Sequence, residues 1–193
     1  MGHAVGTPIV RKIAALDAAH GSAAGRAERY GRRDSGKIRC VRIVASVAST
    51  LIVLLYAAGS GLWVSSGDAW YRSLQRPPWQ PPDFVFGLIW PYNFAVLIAA
   101  GIAVALTGSA AGVWVWLGSL CVSVIAALSW AWLFYLANQP WPAAVALTVA
   151  AVTTIPVVVS AWRAQTWAGV LLLPYLVWIF VATSLAYGYA IRN

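Results

Sequence analysis

Trp90, Trp130, Trp132, Tyr175 and Trp178 stand well inside long apolar runs. Tyr175, Trp178 and Ala182 share a helix face, and aromatic rings facing the bundle would wall a flat apolar ligand, held by stacking and a few polar tips; ordinary packing between helices is the alternative. Ionisable side chains are missing from the depths of the same runs, and both histidines, His3 and His20, lie near the start. Proton relays and ion-coupled transporters place Asp, Glu, His, Lys or Arg at depth, where a charge is costly and kept for function. General acid–base catalysis needs a titratable group within reach of its substrate, and only Asp68 and Asp83 stand near the runs. These absences disfavour an ordinary hydrolase or proton pump, and no catalytic residue is expected. Cys40 and Cys121 have no paired spacing, so neither disulfide nor metal is indicated.

The elements that hold these aromatics follow from composition. Of 193 residues, 61% are hydrophobic and 9% charged, more apolar than a water-soluble domain requires. A hydrocarbon core of about 30 Å takes roughly 20 apolar residues as helix, and five such runs fall near 43–65, 84–106, 112–136, 141–161 and 167–190. Lipid offers the backbone no hydrogen bonds, so helices or a closed barrel must span it. Continuous apolar runs reject the alternation of a barrel strand. The expected fold is an all-α integral membrane bundle of five helices over residues 43–193, preceded by a basic, disordered tail over 1–42.

Arg11, Lys12, Arg26, Arg29, Arg32, Arg33, Lys37, Arg39 and Arg42 all precede the first run. The positive-inside rule puts that end in the cytoplasm; Arg72, Arg76 and Arg192 count against this orientation but are outnumbered. A bacterial plasma membrane is expected, an organelle membrane being the alternative. The tail's charge suits anionic lipid headgroups, and no nucleic-acid partner is expected. A cleaved signal peptide is disfavoured because the apolar run is too long and starts too late.

The remaining tryptophans have a plainer reading. Trp63, Trp114, Trp141, Trp162 and Trp167 lie near run ends, where indoles anchor helices at headgroup depth. Ser119, Ser123, Ala127 and Ala131 form a stripe of small residues that lets another helix approach closely, within the bundle or across a homodimer.

The connection WYRSLQRPPWQPPDFVF, residues 70–86, stands apart. Pro77, Pro78, Pro81 and Pro82 donate no backbone hydrogen bond and bias their predecessors away from helix. A stiff extended ribbon is predicted, with Pro82 and Asp83 suited to the start of the second span. Trp79, flanked by prolines, wants an apolar surface, so the loop reads as a lid over the bundle, with a rigid spacer as the alternative.

The longer stretch WYRSLQRPPWQPPDFVFGLIW resembles the signature of the TspO and translocator-protein family, also called tryptophan-rich sensory proteins or peripheral benzodiazepine receptors. That signature reads roughly WY, Lys-Pro or Arg-Pro, W-x-P-P, V-F and W. The last run, WAGVLLLPYLVWIFVATSLAYGYAIRN, is similar to the family's fifth helix through Pro174, Tyr175, Leu176 and Trp178, followed by Ala182 and Leu185. Trp130 with Phe134 and Tyr135 is similar to its W-x3-F-F. Three positions depart from the pattern. Ala186 stands where the family has asparagine, Ser123 and Ala127 where it tends to carry glutamine and asparagine, and Arg192 falls one place late.

The resemblance implies a five-helix bundle, commonly a homodimer, binding porphyrin, haem or sterol-like molecules in a pocket capped by the first loop. It places Trp79, Phe86, Trp90, Trp130, Phe134, Tyr175, Trp178 and Ala182 in or near that pocket, with Pro77, Pro81, Pro82 and Asp83 in the cap. No obligatory cofactor is implied. The function expected is a receptor or carrier for a tetrapyrrole or sterol-like ligand, in sensing, regulation or transport. The alternatives are light-dependent porphyrin breakdown through tryptophans and a scaffold for protein partners. Leu185, Tyr187 and Arg192 also fit a loose cholesterol pattern.

Overall fold

The structure, a computed structural model, describes residues 38–64 and 69–193. The expected disordered tail lies outside the described residues except for 38–42, which are helical. Helix α1 runs Ile38–Trp63, starting five residues earlier than predicted. Ile38, Val41, Ile43 and Val44 favour continuation, and Arg39 and Arg42 can extend their long stems from a helix end toward headgroups.

A single short turn, α2 (Ala69–Ser73), follows. The other long helices are α3 (Asp83–Thr107), α4 (Ala110–Ala131, prolonged by a wider π turn over Trp132–Leu136), α5 (Pro140–Ala164) and α6 (Thr166–Arg192). All five are long and apolar enough to cross a bilayer, with mean hydropathy between 1.9 and 2.1, and no strand occurs among the described residues. The chain is an all-α, multi-pass integral membrane protein.

Local chemistry sets the helix ends. Asp83 opens α3 directly after Pro82, favourable to the helix dipole. Ser109 caps α4 by accepting from the Gly112 amide at 3.1 Å. Asn138 takes a positive φ of 55° between α4 and α5, a conformation asparagine tolerates better than branched residues. Pro140 then begins α5, where a missing N–H costs nothing.

Helix α5 packs most extensively on α4 and α6. Ala143, Ala144, Ala150, Ala151 and Ala161 of α5 are buried, and such small side chains allow close backbone approach. The stripe on α4 is consumed in this packing. Ser123 donates to the Ala150 carbonyl at 3.1 Å and shares a hydrogen bond with Thr154 at 3.0 Å, while Ala127 and Ala131 are buried. Ser123, Ala127 and Ala131 thus serve the first of the two expected uses of the stripe, packing within the bundle; Ser119 is half-buried. A second tight junction joins α1, α3 and α4. The Trp116 indole donates to Ser49 Oγ at 2.9 Å, over the bare backbone of Gly101.

The loop departs from the predicted ribbon. Residues 69–73 form the turn of α2, since the prolines forbid helix only from about residue 76 onward. Pro77–Gln80 then closes a tight turn, the Gln80 amide donating to the Pro77 carbonyl at 3.1 Å, with Pro78 at the position where a fixed φ favours such turns.

Trp114, Trp141, Trp162 and Trp167 are exposed near helix ends and Trp63 is half-buried, in keeping with an interfacial belt. Trp132 is exposed too. It faces outward rather than into the bundle, corrected from the inward expectation.

Candidate ligand pocket

A cavity of about 440 Å³ lies between α1, α3, α4 and α6, beneath residues 71–80 of the loop. Each helix contributes residues spaced by three or four, hence one face. Helix α1 supplies Ala57, Ser60 and Gly61, and α3 supplies Phe86, Gly87, Trp90, Pro91 and Phe94. Trp130, Phe134 and Tyr135 come from the end of α4, and Trp178, Ala182, Leu185, Ala186 and Tyr189 from α6. Tyr71, Gln80 and Val64 complete the lining. Helix α5 adds nothing, because its small residues are committed to the core.

The walls are built of ring contacts. Phe86 meets Trp178 edge to face at 5.1 Å between centroids, and Trp90 stacks on Phe94 at 5.6 Å. Tyr56, buried behind them, presents its edge to both, at 5.7 and 5.4 Å. On the opposite wall Trp130 stacks on Phe134 at 6.2 Å, and Phe134 packs against Tyr189 at 5.4 Å. Such contacts contribute about 0.5–1.5 kcal/mol each beyond area burial, so the rings hold one another in place.

The polar atoms fall into two groups. Deep in the cavity walls, the indole Nε1 atoms of Trp130 and Trp178 are buried and have no hydrogen-bond partner. An unpaired buried donor costs about 1–3 kcal/mol, and both tryptophans belong to the lining. Pro91 has no N–H for the Gly87 carbonyl, and both residues line the cavity, which leaves a backbone acceptor there.

At the loop end, Tyr189 donates to Gln80 Oε1 and the Gln80 amide nitrogen donates to Tyr71 Oη at 3.4 Å. The two phenol oxygens lie 3.2 Å apart. These three side chains tie the loop to α6 through a ring of hydrogen bonds.

Of the residues expected in the pocket, Phe86, Trp90, Trp130, Phe134, Trp178 and Ala182 line it. Trp79 does not. It is exposed, lies against Gly188 and carries the Arg192 guanidinium over its ring at 4.9 Å, so it rests on the outside of α6.

Tyr175 is also absent from the lining. It shares the face of Ala182, about 20° away around the helix, but stands one turn before Trp178, the first α6 residue of the lining, and is buried in the core cluster between the helices. Among the cap residues, Pro77 packs on Gly188, whereas Pro82 and Asp83 are exposed where α3 begins and Pro81 is half-buried.

Sequence reasoning missed Tyr71, Gln80, Tyr135 and Tyr189. Tyr189 repeats the spacing of Ala182, Leu185 and Ala186, a signal that was readable. Gln80 carried none, since its partners lie 9 and 109 residues away. Ala186, where the resemblance expects asparagine, lines the cavity and leaves that wall apolar. Of the cholesterol pattern, Leu185 lines the cavity while the Tyr187 hydroxyl pairs with Thr148 at 3.1 Å, so the two residues serve different surfaces.

Five apolar helices, four of them around an aromatic chamber closed at one end by a proline-rich loop, define a multi-pass membrane protein with an internal cavity. Residues 47–192 match the model of the TspO/MBR family, and the chain belongs to that family. It is 32% identical over 143 residues to the tryptophan-rich sensory protein of Cereibacter sphaeroides, covering 69% of this chain and 86% of that one. It is 31% identical over 140 residues to the human translocator protein, covering 67% and 78%. With the tryptophan-rich protein TspO of Archaeoglobus fulgidus it shares 28% identity over 164 residues, covering 79% and 99%.

Proposed function

We propose that the protein is a membrane receptor or carrier for a flat lipophilic ligand, a tetrapyrrole such as porphyrin or haem or a sterol-like molecule, held in the aromatic cavity. The names of the relatives support a sensing or binding role, and the chemistry of the cavity supports the ligand class. The observation that carries it is the pair of unpartnered indole donors, Trp130 and Trp178, in a chamber with no ionised lining residue. Pockets of about 300–1,000 Å³ with few polar groups suit drug-sized ligands. The lining offers no His, Cys or Met, and its rings supply the surface on which a flat ligand would stack.

Titration of the purified protein with protoporphyrin IX in the dark, followed by tryptophan fluorescence, is expected to show saturable quenching. Trp178→Phe keeps the ring and removes the donor, and is expected to weaken binding about threefold to tenfold, the worth of roughly one hydrogen bond. No saturable quenching in the native protein would sink the tetrapyrrole reading and favour a scaffold. Repeating the titration under light separates binding from breakdown: loss of porphyrin absorbance dependent on Trp178 would favour the enzyme.

We also infer a cytoplasmic N-terminal end, in a bacterial plasma membrane, from the basic residues ahead of α1. Ser73 is exposed beside the loop. In a Cys40→Ser, Cys121→Ser background, a cysteine placed at Ser73 is expected to react with an impermeant maleimide on intact cells; labelling only after lysis would reverse the topology.

A further inference from the structure

The charge near the cavity gathers at its mouth. None of the lining side chains is ionised at neutral pH, whereas the Arg76 guanidinium sits over the ring of Tyr71, 5.6 Å from its centroid. It also lies within electrostatic reach of the Tyr189 hydroxyl. Both tyrosines line the cavity at the loop end.

Two other arginines stand beside the loop: Arg72 is exposed on α2, with no contact to a lining ring among those described, and Arg192 covers Trp79 and donates to the Gly188 carbonyl at 3.0 Å. Arg76 is exposed, and Asp83 is the one acidic side chain among the described residues. No ion pair joins the two within that set.

A carboxylate forced into the apolar chamber would be prohibitively costly without a partner. At the mouth the same group meets an arginine, whose planar fork suits carboxylate geometry. We propose that the loop end of the cavity is a carboxylate subsite, in which Arg76 pairs with the ionised acid of an amphipathic ligand whose ring system fills the aromatic chamber. This rests on the ligand reading above and narrows it, from any flat lipophile to one with an acidic edge, favouring a porphyrin carboxylic acid over a neutral sterol.

Protoporphyrin IX and its dimethyl ester share one ring system and differ in charge, so they make the test. The native protein is expected to bind the diacid about threefold to tenfold more tightly than the ester, about 0.7–1.4 kcal/mol, with the preference shrinking as salt is raised. Arg76→Gln is expected to abolish the preference while leaving the ester's affinity unchanged, and Arg76→Lys to keep part of it. The ester serves as the control for folding, since it needs the chamber but not the charge. Ester binding without a diacid preference in the native protein, or an equal loss of both ligands in Arg76→Gln, overturns the carboxylate subsite alone. Failure of both forms to bind the native protein overturns the ligand reading and the subsite together.

Discussion

Gly101→Ala is expected to lower the thermal unfolding midpoint of the purified protein in detergent by about 2–12 °C, at roughly 2–4 °C per kcal/mol for a chain of this size. A Cβ at that position would lie 2.1 Å from Ser49 Oγ, 3.1 Å from Ser49 Cβ and 3.3 Å from the Trp116 ring. Serine can escape only by turning its hydroxyl away and releasing the Trp116 indole, both residues being buried.

Two costs then compete with one gain. Overpacking a filled core costs about 1–3 kcal/mol, and an orphaned buried donor about 1–3 kcal/mol in water-soluble proteins, though interhelical bonds in bilayers average nearer 0.6 kcal/mol. Alanine in place of glycine returns at most about 1 kcal/mol of helix propensity. The steric term therefore leads, and the net loss is about 1–3 kcal/mol. Gly118→Ala is the control. Its Cβ would meet nothing within 4 Å, so the midpoint should hold or rise. A Gly101→Ala midpoint equal to that of the native protein would show the three-helix junction to be looser than described. Partial recovery in Ser49→Ala, Gly101→Ala would assign the cost to the hydroxyl.

Gly188→Leu is the second large effect, and it falls on the loop. A Cβ there would stand 2.8 Å from Pro77 Cγ and 2.9 Å from the Trp79 ring, so the Pro77–Gln80 turn must lift from α6. Lifting it also withdraws Gln80 from Tyr189 and Trp79 from Arg192. The Asn193 side chain loses its pair of contacts with the Gln75 backbone as well, the amide at 2.9 Å and the carbonyl at 3.3 Å. Porphyrin release is expected to quicken at least about tenfold, equivalent to 1.4 kcal/mol of lost closure. Trypsin should cut faster after Arg72, whereas Arg76 is protected by the proline that follows it. Unchanged release and unchanged proteolysis would mean that the loop does not cover the chamber.

Much of this architecture could be read from residue types. The five spans were legible because a bilayer demands unbroken apolar helices, and their middles agree with the helices found. The start of α1 was obscured because arginine at a helix end reads as tail, while its stem lets the helix continue.

Within the site, the rings of α3, α4 and α6 were legible from spacings of three and four. Tyr175 was misplaced because it shares a face with Trp178 and Ala182 while the lining of α6 starts only at Trp178, and spacing does not show where along a helix a cavity ends. Trp79 was misplaced because its partners, Gly188 and Arg192, lie more than a hundred residues away. Loop-to-helix contacts of that range leave no local pattern, which is also why the Tyr71, Gln80 and Tyr189 ring was invisible.

The wide turn at Trp132–Leu136 has a consequence for numbering across relatives. In a regular α-helix Tyr135, five positions after Trp130, would swing about 140° away from it, yet both rings face the chamber, their centroids 6.0 Å apart. A turn of this kind takes up a surplus residue inside the helix, without a loop to mark it. Alignments that count helical positions straight through this region would pair Tyr135 with the wrong residue in a relative lacking the surplus, and a chamber wall compared on that basis would be read one place out of step.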